Sequence, residues 1–240
     1  RACACWVDWG WLGVEEEREK VKKLLLLTFG LLIMHSLTGC GSVPETPPIS
    51  EKSNAELIQL LETFEYENEE TSIYPFYEIV EELEIRGPSV SEAAPMLAKM
   101  IAFNGSTSVT ASHPLVVMVP SAQSAIPYLL QNLSNPREDV RRYSIFVLGI
   151  IGEPAKCAIP EIASHLWSAD YCVRSAAAGA LTEITNTILV ESELYKLDAT
   201  MPGSVPCDGE DFSVSKIARD WWQETGQYIE WEDENCTLLE

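Results

Sequence analysis

The sequence predicts an all-α protein, a short α-solenoid in which similar helix pairs stack and an aromatic segment caps the C-terminal end. The first observation is a self-match in which every landmark returns after 33 residues. The landmarks are Ala-Ile-Pro (125–127 and 158–160), Val-Arg (140–141 and 173–174) and a Leu and Ile three residues apart (148 and 151, 181 and 184). The second observation is apolar spacing typical of amphipathic helices within each unit. A constant offset over three landmarks indicates tandem structural repeats.

Each repeat is predicted to hold two helices. The first opens at Pro127 or Pro160, because proline is tolerated in a first turn, where its missing N–H costs no hydrogen bond. The second carries an apolar stripe, and in the earlier repeat it is expected to end at Gly152. The clearest repeats are 125–152 and 158–186, within an array predicted over residues 54–212.

Upstream of these repeats the pattern is weaker. Ser53 is the predicted N-cap of the first helix, with Glu56 as its capping-box partner. The order of landmarks in 83–95 copies that of the later repeats, but Thr107-Ser108 stands where Val-Arg should fall. Since 104–120 also contains one glycine and two prolines, we expect a distorted or looped element there.

The C-terminal segment, 213–240, is predicted to cap the array. A helix is expected over 213–225, because Gly226 follows it. The last repeat of a solenoid exposes an apolar face, which aromatic side chains can cover. A platform on which a ligand stacks is the alternative role. The aromatic residues concerned are Trp221, Trp222, Tyr228 and Trp231.

The repeat unit resembles the HEAT-like repeat of the armadillo-type fold, of the kind also found in phycobilisome lyase proteins. Residues 125–152 match its pattern closely as AIP, VRR and LGIIG, and 158–185 match less fully as AIP, VRS and LTEIT. The resemblance implies that Arg141 and Arg174 form a ladder with acidic residues of neighbouring repeats.

A second resemblance concerns residues 21–40. A short apolar run, 24–34, follows a basic flank and precedes the tetrad Leu37, Thr38, Gly39 and Cys40. The run is too short to span a bilayer, which takes about 20 apolar residues. The arrangement resembles a bacterial lipoprotein signal peptide, here 21–39, with the tetrad as its lipobox.

The lipoprotein resemblance implies a diacylglyceryl group and a fatty acyl chain such as palmitate on Cys40, and no other cofactor is expected. Residues 40–53 would then be a lipidated tether. The alternative is an ordinary secretory signal or a short apolar helix with an unrelated cysteine. Val21 is the expected translation start, which makes 1–20 a mis-called or untranslated extension; a genuine extension is the alternative.

Charge limits the partners. The net charge is −21, and residues 1–40 contribute nothing to it because they contain five basic and five acidic residues. A surface with this much negative charge repels phosphate backbones and anionic headgroups. We therefore expect no nucleic-acid binding and no membrane attachment beyond the lipid. It can attract a basic partner; the alternative role is solubility and repulsion from a negative envelope surface.

Candidate chemistry is sparse. Cys207 and Cys236 could form a disulfide that fastens the C-terminal segment, whereas Cys157 and Cys172 are expected as small buried residues. No cysteine or histidine spacing is typical of a metal site, and no motif of a nucleophile elbow or phosphate-binding loop occurs. The glutamates between 65 and 84 are interpreted as a solvated helix face, and His165 as a packed or surface residue.

The predicted function is therefore interaction and not catalysis. A lipid-anchored, extracytoplasmic repeat protein would act as a scaffold for a protein or peptide partner. Its place would be the bacterial cell envelope, and the outer membrane in a diderm cell, since Gly41 and not aspartate follows Cys40. The alternatives are a bilin-lyase-like or other repeat enzyme, and a sensor or inhibitor subunit of an envelope complex.

Overall fold

The computed structural model describes residues 47–64, 74–103, 105–189, 215–231 and 236. Within these ranges the chain forms helices and no strands, which confirms the all-α class. The α-helices are α1 (Asn54–Glu62), α2 (Tyr74–Arg86), α3 (Ala94–Met100), α4 (Gly105–Met118), α5 (Ile126–Leu133), α6 (Glu138–Ile151), α7 (Ile159–Ser164), α8 (Tyr171–Thr185) and α9 (Lys216–Glu224).

Three of these helices begin in the same way. Short 3-10 helices at Gly87–Ala93, Ser121–Ala125 and Glu153–Ala158 lead directly into α3, α5 and α7. The second residue of each of these α-helices is proline, which confirms the prediction for α5 and α7 and extends it to α3. Further 3-10 turns occur at Ile49–Glu51, His165–Trp167 and Gly226–Tyr228.

The capping box of α1 is confirmed. The Ser53 hydroxyl accepts a hydrogen bond from the backbone N–H of Glu56 at 3.3 Å. The Glu56 carboxylate in turn accepts from the backbone N–H of Ser53 at 2.7 Å. Both groups satisfy donors that would otherwise lack a partner at the helix start, which fixes where α1 begins.

A distorted or looped element was expected within 104–120, but 105–118 form a helix, α4, with Pro114 inside it. A proline in a helix interior costs about 3 kcal/mol through its missing N–H and a steric clash. Burial compensates for this cost, since Ala111, Leu115 and Met118 are fully buried and α4 packs against α2, α3 and α6. At this helix, the stabilisation from tertiary packing therefore outweighs the unfavourable local helix propensity.

Positive backbone φ angles occur just after three helices. Gly152 follows α6 with φ +75°, which confirms it as the end of that helix. Gly87 follows α2 with φ +55°, and Asn186 follows α8 with φ +52°. Glycine and asparagine tolerate this region better than other residues, so the chain can leave each helix abruptly and enter the next element.

The helices pair along the chain, with α1 against α2, α3 against α4, α5 against α6 and α7 against α8. The second members of the pairs, α2, α4, α6 and α8, also contact one another in chain order, as do the first members, α1, α3, α5 and α7. The contact between α6 and α8 is the most extensive. Its tightness follows from composition, because residues 172–181 of α8 are all buried and include four alanines and a glycine.

The disulfide prediction needs correction. Cys236 is bonded to Cys157, 79 residues earlier in the sequence, and not to Cys207, which lies outside the described residues. Cys172 is buried, as predicted, and Cys157 is only half-buried, and both are disulfide-bonded. Pairing depends on which Cβ atoms the fold brings within about 4 Å, and sequence spacing does not reveal that.

Candidate functional site

An open groove lies between α2 and α4. It encloses a cavity of about 270 Å³. The residues that line it are Tyr77, Val80, Glu81 and Glu84 from α2 and Val109, Thr110 and His113 from α4. Aliphatic, aromatic and acidic side chains thus meet in one concave region, as is usual where proteins bind ligands.

Helical spacing places these side chains together. Tyr77, Glu81 and Glu84 stand four and three residues apart on α2, so they share one face of that helix. Val109 and His113 are four residues apart on α4. Val80 is only 2% exposed and forms part of the floor, whereas the Tyr77 ring is 38% exposed at the edge. The floor is therefore apolar and the walls are polar.

The groove carries uncompensated negative charge. On α2, Glu82 accepts a hydrogen bond from the Arg86 guanidinium at 2.8 Å and is neutralised by it. Among the described residues, no ion pair joins Glu78, Glu81 or Glu84 to a cation. Carboxylates held close together without counter-charge favour the approach of a positively charged group.

The sequence prediction for the acidic run was a solvated helix face, and it did not identify this groove. Glu78 and Glu81 are exposed, as a solvated helix face requires, but Glu84 is half-buried in the groove wall. The spacing of Tyr77, Glu81 and Glu84 was the available signal in the sequence. His113 and Val109 carry no such signal, because only the packing of α4 against α2 brings them to the same place.

The repeat arginines occupy equivalent places and make equivalent contacts. Arg141 Nη1 donates to the carbonyl oxygens of Asn135 at 2.7 Å and Pro136 at 2.8 Å. Arg174 Nη1 donates to those of Ser168 at 2.7 Å and Ala169 at 2.8 Å. Each arginine therefore stabilises the turn that joins the two helices of its own repeat.

The contacts of Arg141 differ from the ladder expected between repeats. At Arg141 the additional charged contact is with Glu138 of the same helix, at 3.9 Å. Ser108, which replaces the arginine in the preceding pair, donates through its hydroxyl to the Ile101 carbonyl at 2.6 Å. The side chain at this repeat position therefore donates hydrogen bonds to carbonyl groups near the end of the first helix. Either a guanidinium group or a hydroxyl group can make these hydrogen bonds.

Contacts between repeats come from another position, which the sequence analysis missed. Asn132 donates through its amide to the Ala98 carbonyl of the preceding first helix at 2.8 Å. His165, 33 residues later, lies near the backbone of Leu133, which acts to raise the pKa of the imidazole. Residues 132 and 165 are equivalent in the 33-residue self-match. Because one is Asn and the other is His, the sequence pattern did not mark the position.

The environment of His165 depresses its basicity. Burial lowers the pKa of His165 below its ordinary value, and the positive charge of Arg141 acts in the same direction. Glu161 and the Leu133 backbone oppose this shift. None of the residues that the structure describes offers a hydrogen-bond partner to its buried Nε2 atom, so a proton there would be poorly solvated.

The predicted aromatic surface is largely packed against the protein. Trp221 lies 6.2 Å from Trp222 and 6.4 Å from Trp231 between ring centroids, and all three are partly buried against the core. The Trp231 indole N–H donates to the Gly226 carbonyl at 3.2 Å. A Cβ atom at Gly226 would come within 2.6 Å of Trp222, so only glycine fits there. Tyr228 alone of the four is largely exposed, at 76%.

The lipidation site and its lipobox, 37–40, lie outside the described residues. In the part of the chain that the structure does describe, no helix is long and apolar enough to cross a membrane. Over the same residues, no group of three or more His, Cys, Asp or Glu side chains is arranged to hold a metal ion.

Comparison with known proteins gives no assignment. No protein-family model, no curated protein and no solved structure matches the chain.

Proposed function

We propose that this protein is a lipid-anchored, extracytoplasmic scaffold, in which HEAT-like helix pairs form a short α-solenoid that binds another protein. The observation that carries the proposal is the ordered contact of α2, α4, α6 and α8, together with the groove left between the first two of them. Repeat arrays of this kind offer extended surface, which suits a protein or peptide partner better than a small substrate.

The disulfides support an extracytoplasmic location. Cys157, Cys172 and Cys236 are all oxidised. Disulfides persist in oxidising compartments and are rare in a reducing cytosol. The predicted signal peptide and the lipid on Cys40 would deliver the chain to such a compartment and hold it at a membrane surface.

The C-terminal segment supports the proposed array by covering its last repeat. Helix α9 contacts α8, and Cys236 is bonded to Cys157 in the 3-10 helix that leads into α7. A solenoid without such a cover would expose the apolar face of its final helices to water. In this proposal the indoles act as a cap, not as a ligand platform.

The anchor is tested by expressing the full chain in a bacterial host with labelled palmitate, beside Cys40→Ala. We expect label and membrane association for the wild type alone. An unlabelled, soluble wild-type protein would contradict the proposed anchor.

The scaffold role is tested by photo-crosslinking in intact cells. A photoreactive residue is introduced at Tyr77 or Glu183, exposed on second helices, and as controls at Gln131 or Ser164, exposed on first helices. We expect a discrete crosslinked product from at least one second-helix position and none from the controls. Equal products from all four positions, or none from any, would overturn the proposal.

A further inference from the structure

We propose that the groove between α2 and α4 binds an extended, lysine- or arginine-containing segment of the partner protein. This inference rests on the proposed scaffold function and names the chemistry of its partner. It is carried by the shape of the groove, its apolar floor and its uncompensated carboxylates.

The size of the groove fits side chains of a peptide. Its volume of about 270 Å³ far exceeds the roughly 30 Å³ of a water molecule and lies just below the range typical of small-molecule pockets, about 300–1,000 Å³. Tyr77 and Glu84 are seven residues apart, which corresponds to about 10 Å along α2, or about three residues of an extended chain. The groove therefore accommodates one or two long side chains of a short segment.

The lining matches a basic side chain in both of its parts. The aliphatic stem of a lysine or arginine can lie along Val80 and Val109, while its charged end reaches the carboxylates of Glu81 and Glu84. The exposed Tyr77 ring offers a face to the same cation. An apolar peptide would leave the two carboxylates desolvated without compensation, and an acidic peptide would be repelled.

The experiment uses the mature lipidated protein, purified from membranes in a neutral detergent. The probe is a fluorescein-labelled eight-residue oligolysine, with oligoglutamine of the same length as a control, and binding is followed by fluorescence anisotropy at 150 mM NaCl. We expect binding of oligolysine alone. Tyr77→Ala should weaken it about two- to fivefold, as expected for loss of an exposed cation–π contact.

The decisive comparison keeps the net charge equal. Glu81→Gln/Glu84→Gln removes the groove carboxylates, and Glu92→Gln/Glu224→Gln removes two exposed carboxylates elsewhere. We expect the groove variant to raise the dissociation constant at least tenfold and the control variant less than twofold. Circular dichroism of both variants checks that the helices are intact.

Two results would overturn the groove proposal. The first is equal weakening in the two double variants, which would mean that oligolysine responds only to the overall charge. The second is no binding of oligolysine to the wild type. If crosslinking in cells succeeds from Glu183 while either result holds, the scaffold role stands and the groove proposal alone fails. If crosslinking fails at every position while oligolysine binds as expected, the scaffold role fails instead.

Discussion

The contact between α2 and α4 and the contact between α6 and α8 join equivalent helices but are built from different side chains. In α8 the middle of the helix is buried on all sides and rich in alanine, so α6 and α8 pack closely. In α2 the equivalent region presents Tyr77, Glu81 and Glu84, and a cavity of about 270 Å³ remains. The same helix arrangement therefore yields a closed core in one place and an open, charged groove in another.

The comparison shows how side chains decide whether two contacting helices pack closely or leave an accessible groove. Small side chains allow close approach and bury apolar surface, at roughly 25 cal/mol per Å². Large acidic and aromatic side chains give up some of that burial and leave functional groups accessible. The α6–α8 region is also fastened by the bond between Cys157 and Cys236.

The largest expected effect comes from removing that bond. Cys157→Ser/Cys236→Ser frees a loop whose ends are 79 residues apart, which should lower the free energy of unfolding by about 4 kcal/mol. Chemical denaturation under oxidising conditions measures this loss. Unfolding midpoints that coincide for the variant and the wild type would show that the C-terminal segment does not stabilise the α6–α8 region.

Enlarging one side chain at each contact should destabilise the closely packed α6–α8 contact more than the α2–α4 contact. Ala177→Leu enlarges a fully buried side chain on α8 and should cost about 1–3 kcal/mol. Val109→Leu adds a methylene group beside the groove and should change the stability by less than about 0.5 kcal/mol, because the cavity accommodates it. Thermal unfolding measures both, at about 2–4 °C per kcal/mol. Equal losses would contradict the contrast in packing.

Replacing Arg174 should destabilise the protein more than replacing Arg141, because Arg174 is more deeply buried. Arg174 is 3% exposed, so Arg174→Met leaves two carbonyls without their charged donor and should cost about 1.5–3 kcal/mol. The Arg141 side chain is 16% exposed, and water can replace part of its hydrogen bonding, so Arg141→Met should cost about 1 kcal/mol. Urea denaturation of both variants makes the comparison, and a larger loss at Arg141 would contradict it.

The smallest expected effect is a pH dependence at His165, in the 3-10 turn that follows α7. Because burial lowers the pKa of His165 in the folded protein, the unfolded chain, with a pKa of about 6.5, takes up more protons just below that pH. The contribution of His165 to stability should therefore fall as the pH drops below about 6.5. His165→Asn, which copies Asn132 of the preceding repeat, should remove this dependence.

Melting temperatures of the wild type and His165→Asn between pH 7.5 and 5.5 measure the effect. A difference that stays constant over this range would contradict the lowered pKa.

Several local features could be predicted because they depend on residues close in sequence. The Ser53–Glu56 capping box, the prolines that open α5 and α7 and the end of α6 at Gly152 each follow from groups within a few residues of one another. The helix at 105–118 was missed because Pro114 argues against it locally, and only burial against three other helices outweighs that signal.

The candidate site could be predicted only in its acidic half. The spacing on α2 places Tyr77, Glu81 and Glu84 on one face, and this follows from the period of an α-helix. Val109 and His113 join them only after α4 packs on α2.

By itself, the sequence determined the all-α class, the 33-residue repeat and the places where many helices begin and end. These properties arise from periodicity and from hydrogen bonds between residues near in the chain. The tertiary structure alone decided that Cys157 pairs with Cys236, that Asn132 donates to the Ala98 carbonyl of the preceding first helix, and that a groove opens between α2 and α4. These contacts join residues about 30 to 80 positions apart, and packing, not local preference, sets their distances.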